Sequence, residues 1–162
     1  TDSRISIRGA GARANFGVRG VKLFLDGVPQ TLPDGQGQLT NVELGNLEAV
    51  EVLRGSTASL YGNGSAGVLA FRTDLSAPAP FSPSARVVVG SFGLRKEQLR
   101  AGFRGGRALG AVSLSRTRID GFRQYSAAET RQFAGALDLA VGERGRLELR
   151  ALSAQVPAAL NP

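Results

Sequence analysis

Apolar and polar positions alternate most clearly in the second half of the chain. Val87 and Val89 open a strand that stops at Gly90-Ser91-Phe92-Gly93. Next, Leu99, Ala101 and Phe103 fall on one face, and Lys96, Gln98, Arg100 and Arg104 on the other. Gly105-Gly106 marks a tight turn. Across 107–118, Val112 and Leu114 oppose Ser113, Ser115 and Thr117. A longer polar loop covers 119–128. Phe133, Leu137, Leu139 and Val141 then oppose Gln132 and Asp138, and after a short turn at 142–145 Leu147, Leu149 and Ala151 oppose Arg146, Glu148 and Arg150. Period-two alternation of this kind predicts strands. About five such segments, joined by connections that run short, longer, short, carry the signature of a transmembrane β-barrel, which is weak per segment and cumulative. A soluble antiparallel sandwich or meander, with its apolar face in a core, is the competing reading.

The first half is built differently. Arg4–Arg8 alternates and ends at Gly9, predicting a strand. A loop rich in Gly, Ala and Arg fills 9–20. Val21–Leu25 predicts a second strand, closed by the hairpin pair Asp26-Gly27. A polar loop covers 30–38, and 41–48 has room for one or two helical turns. Val50–Leu53 is a strand, Ser56–Leu60 a helix-capable turn, Tyr61–Gly64 a glycine turn and Gly67–Thr73 another strand. The stretch SAPAPFSPS at 76–84, with Pro78, Pro80 and Pro83, predicts an extended linker. The organisation expected is therefore a small α+β module over 1–75, a linker over 76–84 and β-strands over 85–162.

Composition narrows the chemistry. The chain has 162 residues, 42% of them hydrophobic, and 22 glycines. It has no Cys and no His, so thiol chemistry, imidazole catalysis and the commonest metal ligands are unavailable. No catalytic residue, metal site or cofactor is expected. No apolar run reaches the length of a membrane-spanning helix. The chain lacks methionine and starts at Thr1, and it reads as an internal or processed piece of a longer protein. Residues 1–75 hold equal numbers of acidic and basic side chains, so the net charge of +7 resides in 76–162. The basic residues are spread along strands and do not cluster on one helix or loop, which argues against nucleic acid as a partner.

Two glycine patterns imitate phosphate-binding loops. Gly9-Ala10-Gly11-Ala12-Arg13-Ala14 follows a strand, with Asp26 at the end of the next one. A dinucleotide crossover needs a helix of about ten residues, and Asn15, Gly17 and Gly20 break the space available. The run from Gly62 through Gly64 to Gly67 precedes a strand, so no helix N-terminus is there to hold a pyrophosphate.

The runs RISIRG at 4–9, LFLDGVP at 23–29 and VEVLRGSTASLYGNGSAGV at 50–68 resemble the plug domain of TonB-dependent outer-membrane receptors. DGFRQYS at 120–126 resembles that family's second extracellular loop. Within the family, 12–29 and TLPDGQGQ at 31–38 resemble the pyrroloquinoline quinone receptor group most closely. Two departures are visible: Ser56 stands where the family usually has Pro, and Ala66–Phe71 replaces a GGVINV-like strand.

The resemblance implies a plug seated in a barrel of about 22 strands. Of that barrel this chain would hold the first five or so. It also implies active uptake of a scarce nutrient, a ferric siderophore or other iron chelate or pyrroloquinoline quinone, across the bacterial outer membrane. TonB, energised by ExbB–ExbD, would pull on the plug by strand addition. A soluble β-rich binding or adhesion module is the alternative function.

On this reading the outward plug loops supply ligand contacts: Arg13, Asn15, Phe16 and Arg19 from the first, Thr31, Asp34, Gln36 and Gln38 from the second. Arg13 and Arg19 suit an anionic ligand. Arg54, Glu51, Arg100 and Arg104 are expected to join plug and barrel, with Lys96, Arg146 and Arg150 also facing the lumen. Arg116 and Arg118 alternate onto the apolar face near the outer end, where lipopolysaccharide phosphates would lie.

Overall fold

The computed structural model describes residues 5–7, 9, 18–32, 34–55, 61, 65–122 and 126–159, the side chains of 158 and 159 excepted. The chain divides into two compact units, Thr1–Asp74 and Leu75–Pro162.

The first unit is a four-stranded mixed sheet in the order β2-β1-β4-β3. Its strands are β1 (Val21–Leu25), β2 (Val28–Pro29), β3 (Leu47–Arg54) and β4 (Gly67–Thr73). The Asp26-Gly27 pair turns β1 into β2 as expected, both residues at positive φ (50° and 81°). Strand β1 alternates buried and half-buried positions, and Val21, Leu23 and Leu25 enter the core with Val68, Leu69 and Phe71 of β4. These two central strands run parallel, Val21 opposite Gly67 through Leu25 opposite Phe71.

Local polar contacts close the unit. The Asp26 carboxylate accepts from the Thr73 backbone N–H at 2.8 Å and from the Thr73 hydroxyl at 2.7 Å, fastening the hairpin to the end of β4. Glu43 caps a 3-10 turn at Leu44–Asn46 by accepting from Gly45 N–H at 2.9 Å. The Asp74 N–H then donates to Asn46 O at 2.7 Å.

The one or two helical turns expected within 41–48 are reduced to that one 3-10 turn, and Tyr61 is the other helical residue among those described. Gly45 lies inside 41–48 and weakens a helix there, and β3 claims Leu47 and Glu48. Residues 56–60 lie outside the described residues; Tyr61 just beyond them is helical and sets its ring edge-on to Phe24, centroids 5.5 Å apart. Of the strand expected at Arg4–Arg8, Ile7 is a single bridge position, and Arg4 and Arg8 lie outside the described residues.

The second unit is one antiparallel sheet in strict chain order: β5 (Phe81–Val89), β6 (Arg95–Gly105), β7 (Ala108–Ile119), β8 (Ala128–Val141) and β9 (Gly145–Ala159). Each strand reaches the roughly 9–11 residues that a tilted strand needs to cross a bilayer. Strand β5 begins at Phe81, inside the stretch read as linker. Pro83 is compatible with this because β5 is an edge strand, where a missing N–H need not break a ladder. The sheet is open, with β5 and β9 at its edges.

Candidate functional site

Two surfaces carry candidate chemistry, one in each unit. In the first unit the loop after β2 folds back on itself. Leu32 N–H donates to Gln36 O at 2.8 Å, Gly35 N–H to Leu32 O at 2.9 Å and Gln38 N–H to Gln30 O at 2.9 Å. Gly37 bridges both Thr31 and Val18, and its N–H donates to Val18 O at 2.7 Å. The absence of a side chain at Gly37 matters here. A Cβ would come 2.7 Å from Leu23 Cδ1, at the fully buried centre of the sheet.

This fold gathers the second-loop residues and sets them beside Val18-Arg19. Arg19, Asp34 and Gln38 are exposed; Thr31 and Gln36 are half-buried. Asp34 has a structural duty, since its Oδ1 accepts from Gln36 N–H at 3.0 Å and shapes the turn. The Thr31 hydroxyl accepts from Lys22 Nζ at 3.3 Å. Lys22 is thus a cation at this loop that the sequence reading passed over, although its alternation opposite Val21 and Leu23 put it on the β1 face away from the core. Arg13, Asn15 and Phe16 lie outside the described residues.

In the second unit the two faces of the sheet are inverted relative to a soluble protein. The register aligns Phe81, Val87 and Val89 of β5 with Leu99 of β6, Val112 and Leu114 of β7, Phe133 and Val141 of β8, and Leu147 and Leu149 of β9 on one face. All of these are exposed, Leu99 at 60% and Val89 at 75%. On the opposite face Gln98, Ser113, Ser115 and Asp138 are buried. Gln98 donates to Ser113 Oγ at 3.4 Å, and Ser115 to Gln132 Oε1 at 3.2 Å. Asp138 accepts from Arg150 Nη1 at 2.8 Å and pairs with Arg146, while Glu148 reaches Arg146 Nε at 3.1 Å.

The residues expected to join the two units have these surroundings. Glu51 pairs with Arg72 across β3 and β4 at 2.9 Å, both exposed. Arg54 is exposed at the end of β3. Arg100 donates to Ser76 O at 3.3 Å, and the Arg104 N–H donates to Pro80 O at 3.0 Å.

The connections at the Arg95 end of the sheet are stitched together. Asp120 and Gly121 N–H both donate to Phe92 O, at 3.0 and 3.1 Å, and the Phe92 and Phe122 rings lie 5.8 Å apart. Beside them Glu129 gathers Arg116, Arg118 and Arg131 on the exposed apolar face. Arg116 and Arg118 were visible in the alternation. Glu129 and Arg131 were not singled out, because only the β7–β8 register brings them together.

A small mixed sheet in one unit and an antiparallel sheet with an exposed apolar face in the other are the features that comparison with known proteins extends. Residues 1–69 match the family described as TonB-dependent Receptor Plug Domain. The chain is 33% identical over 93 residues to transferrin-binding protein A of Haemophilus influenzae, a match covering 44% of this chain and 10% of that protein. Its fold is similar to the FrpB iron transporter from Neisseria meningitidis (F5-1 variant), with a TM-score of 0.60 and 18% identity over 85% of this chain and 24% of that one. The chain thus spans about a tenth of one relative and a quarter of the other. The first unit thus lies largely within the segment similar to that plug-domain family, and the fold of the chain is similar to that of the transporter.

Proposed function

We propose that this chain is part of an outer-membrane receptor that takes up an iron-bearing nutrient with energy delivered through TonB. The observation that carries the reading is the inverted sheet. Leucine, valine and phenylalanine side chains are exposed along five long strands while glutamine, serine and aspartate are buried on the other face. A water-soluble sheet would lose its hydrophobic driving force in this arrangement; a sheet whose apolar side meets hydrocarbon does not. Closure of the open edges by further strands would satisfy the backbone groups that lipid cannot.

The plug match supplies the second half of the argument. A plug in the lumen would place the loop of Arg19, Thr31, Asp34, Gln36 and Gln38 against an arriving ligand, with Arg13, Asn15 and Phe16 from the neighbouring loop. Iron is favoured over pyrroloquinoline quinone because the two named relatives are a transferrin-binding protein and an iron transporter. The quinone assignment rests on the sequence runs at 12–29 and 31–38 alone. ExbB–ExbD enters the proposal as the energising partner of TonB. Arg54, Glu51, Arg100 and Arg104 remain proposed contacts between plug and barrel. The transport role asks for no catalytic group.

The test uses the full-length receptor in detergent. Ferric siderophores, iron-loaded transferrin and pyrroloquinoline quinone are titrated calorimetrically against wild type and against Arg13→Ala/Arg19→Ala. Binding of an iron-bearing ligand, weakened in the variant by tenfold or more, is expected; each lost charge-assisted bond is worth roughly 1.5–3 kcal/mol. Quinone binding without an iron response would replace iron by the quinone. A chain that stays in the soluble fraction and shows no heat-dependent gel migration would end the receptor reading in favour of a soluble binding module.

A further inference from the structure

The polar face of the second unit is unevenly charged. Arg86 of β5 stands opposite Gln98 of β6, and Lys96, Arg100 and Arg104 follow on the same face of β6. No acidic residue stands on this face along β5, β6 or β7. The two acids of the face, Asp138 and Glu148, oppose each other on β8 and β9. Both are engaged there. Asp138 is buried and pairs with Arg146 and Arg150, and Glu148 pairs with the same two arginines. That corner is neutral, so the β5–β6 side of the face is left positive.

The spacing joins these charges into a strip. Lys96, Arg100 and Arg104 recur at every fourth residue, about 13 Å apart along a strand. The screening length at physiological salt is about 8 Å, so a point midway between two of them lies within the field of both. Arg86 sits one strand over, level with Gln98, and fills the gap between Lys96 and Arg100. The side chains of Arg86 and Arg104 are exposed and have no hydrogen-bond or ion-pair partner among the described residues.

The strip is open along its length, and no single arginine closes a pocket around a guest. A multiply charged anion is attracted to it and meets the next cation before leaving the field of the last. A neutral solute gains little, and a cation is repelled.

We propose that Arg86, Lys96, Arg100 and Arg104 form an anion-attracting strip that favours the passage of iron held in a net anionic chelate, with carboxylate or phenolate oxygens at its surface. The proposal rests on the reading that this sheet is part of a barrel wall whose polar face lines the lumen. It assigns charge selection to the wall of the route, separately from the arginines of the plug loops.

The reporter is Ser84→Cys, an exposed position opposite Arg100, in a full-length receptor otherwise free of reactive cysteine and held in neutral detergent. Residues 1–162 contain no cysteine. Labelling rates are measured with anionic sulfonatoethyl and cationic trimethylammonioethyl methanethiosulfonate, each divided by its rate with 2-mercaptoethanol. The anion is expected to react about tenfold faster than the cation. Arg86→Gln, at a residue not among the proposed plug contacts, is expected to cut that preference about threefold. Ferric citrate, an anionic chelate, is expected to slow the anionic reagent more than sodium chloride of the same ionic strength does, and cationic ferrioxamine B is not. Thr117→Cys, opposite Lys96, with Lys96→Gln as its partner variant, carries the comparison if Ser84→Cys fails to insert.

Equal corrected rates, a preference for the cation, or no reaction with either reagent would overturn the strip. An unchanged preference in Arg86→Gln would do the same. Protection by ferric citrate no greater than that by salt would overturn the assignment to chelates. Heat-dependent gel migration, scored in the same preparation, separates these failures from failure of the receptor reading: a protein that shifts normally but labels without charge preference loses only the present proposal.

Discussion

Gly67 shows how much one missing methyl group can decide. It opens β4 at φ 148°, opposite Arg54 of β3 and Val21 of β1. A Cβ there would collide with the Leu53 carbonyl oxygen and press on Ile7 Cδ1 at 3.3 Å. Gly67→Ala is expected to destabilise the four-stranded sheet of the first unit by about 2 kcal/mol or more, combining backbone strain with a steric clash. Hydrogen exchange on the full-length protein would show it as lost amide protection in Leu47–Arg54 and Gly67–Thr73; unchanged protection would mean that the strand shifts at no cost. The strand beginning at Gly67 was legible in the sequence, but the reason for the glycine itself was not. That reason is the close approach of β3, a partner more than a dozen residues away in the chain. Asp26 is similar. Its turn role follows from the Asp-Gly pair, whereas its grip on Thr73 depends on where β4 ends.

Among the elements, β7 makes the sharpest test because its neighbouring side chains belong to opposite environments. Val112 is exposed on the apolar face, and Thr117 is half-buried on the polar one. On the proposed membrane reading, Val112→Lys is expected to cost about 2–4 kcal/mol of membrane stability, the usual penalty for a lysine facing mid-bilayer. Thr117→Lys should insert at the wild-type level. Urea-dependent folding of the full-length receptor into lipid vesicles measures both, and equal behaviour of the two variants would contradict the assignment of faces. Period-two alternation announced all five strands of this sheet and sorted their residues correctly onto two faces. The strand boundaries were less legible. Strand β5 starts within the proline stretch because an edge strand tolerates Pro83, and edge position is a property of the sheet rather than of the segment.

At the level of the molecule, the second unit presents hydrocarbon side chains on one face and unpaired strand edges on both sides. Residues 75–162 expressed alone in water are therefore expected to aggregate, since a large apolar patch and open edges both template association. Light scattering should fall on adding detergent micelles that cover the apolar face. A monodisperse species in plain buffer would instead favour a soluble sheet. The candidate sites divide along the same line. The loop of Thr31, Asp34, Gln36 and Gln38 could be named from its polar sequence. Its attachment to Val18 through Gly37, which sets Arg19 beside it, came from a long-range bridge.

The sequence by itself determined the turns, the strands and their two-faced character, since these depend on φ preferences and on side-chain period, which are local. It also contained the runs that resemble a plug domain and the spread of positive charge over the second half. Tertiary structure decided three things: the parallel pairing of β1 with β4, which of the sheet's two faces is exposed, and the convergence of Arg116, Arg118 and Arg131 on Glu129. The first and third depend on register between strands, and a shift of one residue would move every side chain to the other face. The second depends on which face the surrounding chain covers, and periodicity is the same whether the apolar side meets a core or a lipid.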